Sequence, residues 1–454
     1  MRIHFISIGG SVMHQLALAL HKKGYIITGS DDEIFEPSHS VLESIGLLPN
    51  RLGWDEANIT NDLDAVLLGM HARADNPELV KAKLLKLPIY SFPEYIFHES
   101  QRKTRVVIGG SHGKTTTTSM IMHALREGGF SFDYLVGASL PGFPQSVDIT
   151  DAPVIICEGD EYPASAIERR PKFHFLFPHI AVLTGIAWDH INVFPTFDNY
   201  LDQFRIFLDK IEPGGVLIYN HTDPVLCALV EECTRTDFER VGYGLPEHRQ
   251  HGITTEIILN GHCTPLRVFG DHNLLNMHAA WLVCKRLGMD TGTFTLAIGS
   301  FSGAAKRLEV LAENERRIVF RDFAHAPSKV KATMQAVKQQ FPQRRVSAVL
   351  ELHTYSSLNE AFMPHYAGAL DAADSACVFY SPHAMEIKRM PALPPEKILN
   401  GFGRADLKVL TKKEDLEDWI AEQRKENDNL LLMSSGSYDG MDTGAIAADW
   451  VLEN

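Results

Sequence analysis

A glycine-rich segment near residue 110 carries the residue types that bind phosphate groups. It reads Gly109-Gly110-Ser111-His112-Gly113-Lys114-Thr115-Thr116-Thr117-Thr118 and follows an apolar stretch. The backbone amides of such a loop, where it enters a helix, bind anions, and the lysine reaches the outer phosphates. The Thr115 hydroxyl is placed to ligate Mg²⁺. Ile108 replaces the first glycine of GxxxxGK[ST]. A plain glycine-rich turn with an exposed lysine would leave the threonine run unexplained, so the sequence predicts a phosphate loop.

Two apolar stretches downstream end in polar residues that could hold a metal ion. Residues 152–157 are followed by Glu158, and residues 180–186 are followed closely by Asp189 and His190. The carboxyl ends of parallel strands lie along one edge of a sheet, so we expect Glu158 and His190 to meet at a metal held by Thr115. The alternatives are a solvated acidic loop at Glu158 and a structural histidine at His190.

A second glycine turn, Gly9-Gly10-Ser11, lies between a short apolar strand and an amphipathic helix. The strand that follows ends in Asp31-Asp32. This order is typical of a dinucleotide-binding βαβ unit, but only half of the GxGxxG spacing is present. NAD binding is therefore only weakly indicated.

Other candidate residues lie farther along the chain. Asn273 and Asn276 lie where a loop enters a predicted helix, and their amides could pair with an adenine edge because an amide offers both a donor and an acceptor. A later strand leads to Asp322 and His325, and Ser328 is expected to be the N-cap of the next helix. On pattern alone, none of these residues is diagnostic.

Strands and helices alternate along the whole chain, which predicts an α/β fold. The 454 residues correspond to about three domains of roughly 150 residues each. We place these domains at residues 1–100, 101–304 and 305–454. The loops at the carboxyl edges of their sheets must bring the candidate residues together.

Composition and charge exclude several classes of protein. The apolar fraction of 45% is that of an ordinary globular protein, and no apolar run reaches the roughly 18 residues of a membrane span. The formal charge of −14 argues against a nucleic-acid-binding surface. The N-terminus does not read as a signal peptide, and the six cysteines contain no CxxC pair. We therefore expect buried free thiols and a cytoplasmic location.

Taken together, these motifs resemble the Mur ligase family, the ATP-dependent amide-forming enzymes of peptidoglycan synthesis. The resemblance implies three domains: an N-terminal Rossmann-like UDP-binding domain, a central P-loop ATPase domain and a C-terminal Rossmann-like domain. The matching residues occur in family order over nearly the whole chain: Gly110–Thr116, Glu158, Asp160-Glu161, Asp189-His190, His272-Asn273, Asn276, Lys306–Glu309, Asp322–His325 and Pro327.

Within the family, the chain is most similar to the murein peptide ligases of peptidoglycan recycling. Two segments favour this branch, Glu158–Tyr162 and Met433–Gly436, together with a glycine turn at the extreme N-terminus. The implied reaction joins the lactyl carboxylate of UDP-N-acetylmuramate to L-alanyl-γ-D-glutamyl-meso-diaminopimelate through an acyl phosphate. A UDP-N-acetylmuramate–L-alanine ligase is the alternative reading.

The resemblance also implies a role for each candidate residue. Lys114, Glu158 and His190 would be catalytic, and Thr115, Glu158 and His190 would hold Mg²⁺. The residues implied to bind ATP are Gly110, Ser111, His112, Gly113, Lys114, Thr115, Thr116, Asn273, Asn276, Arg307, Asp322 and His325. Those implied to bind the UDP-sugar are Gly9, Gly10, Ser11, Asp31 and Asp32. The implied partners are these small molecules, with no nucleic acid and no membrane insertion, and the chain is expected to be a monomer or a weak homo-oligomer.

Several positions depart from the family pattern. Gly185 and Ala187 replace the usual residues before the Asp-His pair, Arg321 replaces an aspartate, and Ala326 replaces a histidine. The segment 350–355 replaces the sequence usual in murein peptide ligases, which leaves the acceptor peptide open. A NAD-linked oxidoreductase, a folylpolyglutamate synthetase and a non-catalytic nucleotide-binding regulator are further alternatives.

Overall fold

The computed structural model describes residues 1–452 except 71, 138–139, 141, 166, 189–192, 252–253, 305–306 and 427. Asp189, His190 and Lys306, which the sequence marks as candidates, lie outside the described residues. No helix in the described part of the chain is long and apolar enough to cross a membrane. All six cysteines are free thiols; Cys263 is exposed, however, and Cys227 and Cys233 are half-buried, so the prediction of buried thiols is wrong for these three.

The first sheet has four parallel strands in the order β2-β1-β3-β4. β1 and β3 are buried except at Arg2, and apart from Arg2 and His4 their side chains are apolar, as in strands covered on both faces. The elements are β1 (Arg2–Ile6), α1 (Met13–Lys22), β2 (Ile26–Ser30), α2 (Ser38–Ser44), β3 (Ala65–Leu68), α3 (Pro77–Leu84), β4 (Ile89–Ser91) and α4 (Phe92–Ser100).

The second sheet has seven strands in the order β11-β10-β9-β5-β8-β6-β7, all parallel except the edge strand β7. The loop between β5 and α5 is the predicted phosphate loop. The elements are β5 (Thr104–Gly109), α5 (Lys114–Glu127), β6 (Asp133–Leu135), β7 (Val147–Asp148), β8 (Val154–Glu158), β9 (Ile180–Leu183), α6 (Phe197–Asp209), β10 (Val216–Asn220), α7 (Pro224–Glu232) and β11 (Glu239–Tyr243).

A small antiparallel sheet follows, and its chain returns to the seven-stranded sheet through a long helix. This helix, α8, packs beside α5, so its first turn lies next to the phosphate loop. The elements are β12 (His248–His251), β13 (Thr254–Leu259), β14 (His262–Leu266), α8 (Asp271–Arg286) and α9 (Thr291–Gly299).

The last sheet has six strands in the order β15-β16-β20-β17-β18-β19, parallel except for the edge strand β15. The elements are β15 (Glu309–Glu313), β16 (Ile318–Asp322), α10 (Pro327–Gln340), β17 (Val346–Glu351), β18 (Ser375–Phe379), α11 (Pro382–Ile387), α12 (Pro395–Phe402), β19 (Lys408–Leu410), α13 (Lys413–Gln423), β20 (Asn429–Met433) and α14 (Thr443–Val451).

The predicted α/β fold with largely parallel sheets is confirmed. The prediction that Ser328 is an N-cap is wrong: α10 begins at Pro327, and Ala326 is its N-cap. The reason is that proline, which has no N–H to lose and a fixed φ, takes the first helical position and moves Ser328 into the first turn. The exact domain boundaries remain a prediction.

Candidate active site

The loop between β5 and α5 can adopt its shape only with glycine at two positions. Gly113 has φ +79°, and a Cβ atom there would lie 2.3 Å from Oδ1 of Asn276. Gly110 has φ +127°, and a Cβ atom there would clash with Thr184. Residues that carry a Cβ atom are strained in this region of φ, so the loop requires glycine at both positions. The Ser111 amide donates to the Gly185 carbonyl at 2.9 Å, which fixes the loop to the end of β9.

Lys114 is held in the loop by a buried counter-ion. Its Nζ donates to the Gly110 carbonyl at 2.5 Å and to Oε2 of Glu161 at 2.7 Å. Glu161 is 1% exposed and also accepts from the Tyr200 hydroxyl at 3.3 Å. Burial acts to lower the pKa of Lys114, but Glu161, with Asp160 and Glu158 nearby, outweighs burial, and the net shift is upward. The lysine is therefore a fixed cation at the mouth of the loop.

Thr115 and Glu158 form the pair of oxygen donors that the sequence predicts. The Thr115 hydroxyl donates to Oε1 of Glu158 at 2.7 Å, and the Gly137 amide donates to Oε2 at 2.9 Å. A hydroxyl and a carboxylate are hard ligands that suit Mg²⁺, which normally completes its shell with phosphate oxygens and water. Within the described residues, no three His, Cys, Asp or Glu side chains are grouped to hold a metal by themselves. The donor set thus fits a metal ion that arrives with a nucleotide.

A cavity of about 420 Å³ opens over this loop. Its volume falls in the range of small-molecule sites, which is roughly 300–1,000 Å³. The cavity brings together eleven of the twelve predicted ATP residues: Ser111, His112, Gly113, Lys114, Thr115, Thr116, Asn273, Asn276, Arg307, Asp322 and His325. Gly110 does not line the cavity, but its carbonyl accepts a hydrogen bond from Nζ of Lys114. The lining residues that the sequence did not predict include Thr184, Asn220, Asp223 and Lys329.

Asn273 and Asn276 lie in the first turns of α8, on the wall opposite α5. Oδ1 of Asn276 accepts from the Thr117 hydroxyl at 3.3 Å and lies against Gly113. Nδ2 of Asn273 donates to the Phe269 carbonyl at 2.9 Å. Asn276 is therefore placed at the phosphate loop itself. The adenine-facing role of both residues remains a prediction.

The C-terminal wall of the cavity is built around Asp322. Its Oδ2 accepts from the Leu308 amide and its Oδ1 from the Ala324 amide, both at 2.7 Å. Asp322 therefore fixes the two loops that carry Arg307 and His325. The Arg307 guanidinium lies over the Phe323 ring, 4.8 Å from its centroid.

One hydrogen bond joins this wall directly to the phosphate loop. The Ser328 hydroxyl lies 2.7 Å from Nε2 of His112, across 216 residues of sequence. Signals in the local sequence identify neither partner, because the contact depends on how the last sheet is placed against the second.

A second cavity, of about 210 Å³, lies on the other side of the phosphate loop. Its walls come from the first sheet's unit and from the second sheet. The lining residues are Val12, Phe92, Pro93, Lys114, Leu135, Val136, Gly137, Glu158, Asp160, Lys172 and Leu176. Lys114 and Glu158 line both cavities. Two ligands can therefore approach this pair of side chains from opposite sides.

The N-terminal glycine turn meets Asp31 as expected. The Gly9 amide donates to Oδ2 of Asp31 at 2.7 Å, and the Asp32 amide donates to Oδ1 at 3.0 Å. Burial, together with the neighbouring Asp32 carboxyl, raises the pKa of Asp31 to about 6. The Gly9 amide is thus directed at Asp31, which leaves Gly10 and the exposed Ser11 as the part of the turn that can face a diphosphate.

A cavity of about 520 Å³ also lies beside β2, lined by residues 27–30 and 46–55 and by Asn58. None of the predicted UDP-sugar residues lines it. UDP-sugar binding by the turn remains a prediction.

Three family models match the chain in order. They are described as "Mur ligase family, catalytic domain" over residues 2–103, "Mur ligase middle domain" over residues 108–284 and "Mur ligase, glutamate ligase domain" over residues 306–436. The second and third of these models cover all the residues that line the larger cavity.

Curated relatives and solved structures match over most of the chain. UDP-N-acetylmuramate–L-alanine ligase of Paenarthrobacter aurescens (strain TC1) is 31% identical over 83% of this chain and 82% of its own length. The ligase of the same name from Desulfitobacterium hafniense (strain Y51) is 26% identical over 96% and 97%. The crystal structure of a murein peptide ligase from Psychrobacter arcticus 273-4 has a TM-score of 0.65 at 22% identity, over 100% of both chains. That of UDP-N-acetylmuramate-alanine ligase from Thermotoga maritima has a TM-score of 0.67 at 21% identity, over 99% and 98%.

Proposed function

Since the chain belongs to the Mur ligase family and has its three-domain α/β fold, we propose that it joins the lactyl carboxylate of UDP-N-acetylmuramate to L-alanyl-γ-D-glutamyl-meso-diaminopimelate. Members of this family are ATP-dependent ligases of peptidoglycan synthesis, and that class of activity holds for this chain. This class of activity excludes the alternative of a NAD-linked oxidoreductase. The two substrates named here are the proposal.

The position of Lys114 and Glu158 in the wall between two cavities supports the proposal most directly. The larger cavity carries the phosphate loop and suits ATP. The smaller cavity opens toward the first sheet's unit, where the Gly9–Ser11 turn is proposed to bind UDP. A carboxylate that enters from that side would meet the outermost phosphate of ATP at this wall.

The proposed chemistry proceeds in two steps, because a carboxylate and an amine do not condense in water at neutral pH. In the first step a carboxylate oxygen attacks the γ-phosphorus of ATP, which gives an acyl phosphate and releases ADP. In the second step the amine attacks the acyl carbon, phosphate leaves, and the amine loses a proton. Lys114 and the loop amides would stabilise the charge on the phosphoryl group as it is transferred.

Thr115 and Glu158 are the residues that would hold Mg²⁺, which neutralises phosphate charge when it is bound. His190, the third proposed ligand, lies outside the described residues. Asp322 would keep Arg307 and His325 over the nucleotide, and the Ser328–His112 hydrogen bond would hold the last sheet against the loop.

Two acceptor substrates are candidates, and each follows from a different observation. Segments 158–162 and 433–436 resemble those of murein peptide ligases, which favours the tripeptide. The curated relatives are named for L-alanine as the acceptor, which favours free L-alanine. Both sets of names contain UDP-N-acetylmuramate, so the carboxylate substrate is the shared part of the proposal.

The test is a direct comparison of acceptors. The purified chain is incubated with ATP, Mg²⁺ and UDP-N-acetylmuramate, with either the tripeptide or L-alanine, and release of ADP is followed. Reactions without acceptor and without UDP-N-acetylmuramate are the controls. We expect ADP release that depends on the tripeptide. Release with L-alanine alone would make the chain an L-alanine ligase, and release with neither acceptor would contradict the proposed substrates.

A further inference from the structure

The smaller cavity contains a lysine that the reaction as described above does not use. Among the described residues that line this cavity, Lys114 and Lys172 have cationic side chains. Lys114 is engaged by Glu161, lines both cavities and is already assigned to the phosphoryl group. Lys172 is on the side that faces the first sheet's unit.

The backbone of Lys172 is fixed relative to the catalytic wall. Lys172 begins a short 3₁₀ helix, residues 172–175, and its amide donates to the Tyr162 carbonyl at 2.9 Å. The next amide, of Phe173, donates to the Asp160 carbonyl at 3.1 Å. The Phe173 ring is buried and stacks on Phe207 with centroids 4.7 Å apart. The side chain of Lys172 therefore starts from a backbone that is anchored to residues 160–162, just after β8 ends at Glu158.

The present partner of Lys172 is replaceable. Its Nζ lies 2.6 Å from Oδ2 of Asp160, and the two side chains are 25% and 39% exposed. Ion pairs with this degree of exposure contribute only about 0–1 kcal/mol, so a second carboxylate can exchange with Asp160 at little cost.

A carboxylate entering this cavity needs such a cation. It must approach a triphosphate of like charge, at a wall that already carries Glu158 and Asp160 and in a chain of formal charge −14. Without a local positive charge, repulsion would keep the carboxylate away from the phosphorus.

We propose that Lys172 binds and orients the carboxylate of the first substrate, exchanging its ion pair with Asp160 for one with the incoming carboxylate. The inference rests on the proposed function for the identity of that substrate. It assigns the specificity for a carboxylate-bearing sugar to a residue outside the phosphate loop.

The test compares two nucleotide sugars that differ in the carboxylate. UDP-N-acetylmuramate carries the lactyl group, and UDP-N-acetylglucosamine lacks it. Binding of each is measured by calorimetry for the unchanged protein and for Lys172→Met, Lys172→Arg and Arg170→Met. Arg170 is the matched control because it lies on the same segment, is 61% exposed and pairs with Glu168. Thermal unfolding of each variant checks that it is folded.

We expect Lys172→Met to weaken binding of UDP-N-acetylmuramate by about 10- to 100-fold, the value of one charged hydrogen bond. Binding of UDP-N-acetylglucosamine should change by less than about threefold, since it has no carboxylate to lose. Lys172→Arg should recover most of the affinity, and Arg170→Met should bind both sugars as the unchanged protein does.

Equal losses for both sugars in Lys172→Met would overturn the inference, because the lysine would then act only through structure. Equal binding of the two sugars by the unchanged protein would also overturn it. Release of ADP with either acceptor tests the proposed function separately. If the ligase is active but its binding of UDP-N-acetylmuramate does not depend on Lys172, this inference alone is refuted.

Discussion

Lys114 forms a buried ion pair with Glu161, and we predict that changing this pair affects stability and activity differently. In Lys114→Met the hydrogen bonds of 2.7 and 3.1 Å to the carboxylate of Glu161 are lost, while Glu161 stays 1% exposed and still accepts from the Tyr200 hydroxyl at 3.3 Å. Removing one partner of a buried ion pair typically costs about 3–5 kcal/mol, because the other charge stays buried without compensation.

The structure places the expected cost at or just below the lower end of that range. Lys114 is 15% exposed, so water reaches part of the pair, and the Tyr200 hydroxyl lies 3.3 Å from Glu161. We expect Lys114→Met to lower the free energy of unfolding by about 2–3 kcal/mol. Adding Glu161→Gln removes the buried negative charge and keeps an acceptor for Tyr200, so the double variant should recover about 2 kcal/mol of that loss.

Urea unfolding followed by circular dichroism measures the stability, and ADP release measures the activity. The double variant should be more stable than Lys114→Met yet equally inactive, because the cation for the phosphoryl group is missing from both. If the double variant is no more stable than the single one, Glu161 is not the buried charge that the argument requires. If Lys114→Met releases ADP at the unchanged rate, the phosphate loop is not the reaction site.

Two further predictions concern the two glycine turns. Gly113→Ala should lower the affinity for ATP, measured by calorimetry, at least about tenfold. The reason is that the left-handed φ costs roughly 1–2 kcal/mol with a side chain present, and the new methyl group displaces Asn276. Unchanged affinity would contradict the loop geometry. Because the pKa of Asp31 is raised to about 6 from 3.8, the folded chain holds this proton more tightly than the unfolded chain, and stability should fall as pH rises from about 4 to 6. Asp31→Asn should remove that slope, and an unchanged slope of the urea midpoint against pH would refute the assignment.

Local sequence was sufficient to predict the phosphate loop. The glycines, Lys114 and Thr115 are adjacent in sequence, and the apolar residues before them form β5 as expected. The pairing of Thr115 with Glu158 was also predictable, because both lie at the carboxyl edge of neighbouring parallel strands. In the first case the residues are adjacent in sequence, and in the second they are brought together by the shared carboxyl edge of parallel strands.

Contacts made through tertiary packing were not predictable in this way. Glu161 lies 47 residues after Lys114, and nothing in its sequence context distinguishes it from Asp160 as the partner of the lysine. Asp322 lines the larger cavity, but the sequence did not predict that its two oxygens also accept from the Leu308 and Ala324 amides. Such roles depend on which backbone amides the fold leaves without partners.

One error had a signal that could have prevented it. Ser328 satisfies the preference for serine at an N-cap, but the preceding Pro327 marks the first helical position more strongly. In the structure the Ser328 hydroxyl contacts His112 and does not cap α10.

The order of the cavity's segments along the chain has a consequence during protein synthesis. The phosphate loop emerges from the ribosome well before α8, and the loops at Arg307 and His325 emerge later still. Domains generally fold from the N-terminus during translation, so the nascent first half has the loop but neither the α8 wall nor the Asp322 wall. ATP in the cell can therefore stabilise this chain as a folding ligand only once most of it has been made.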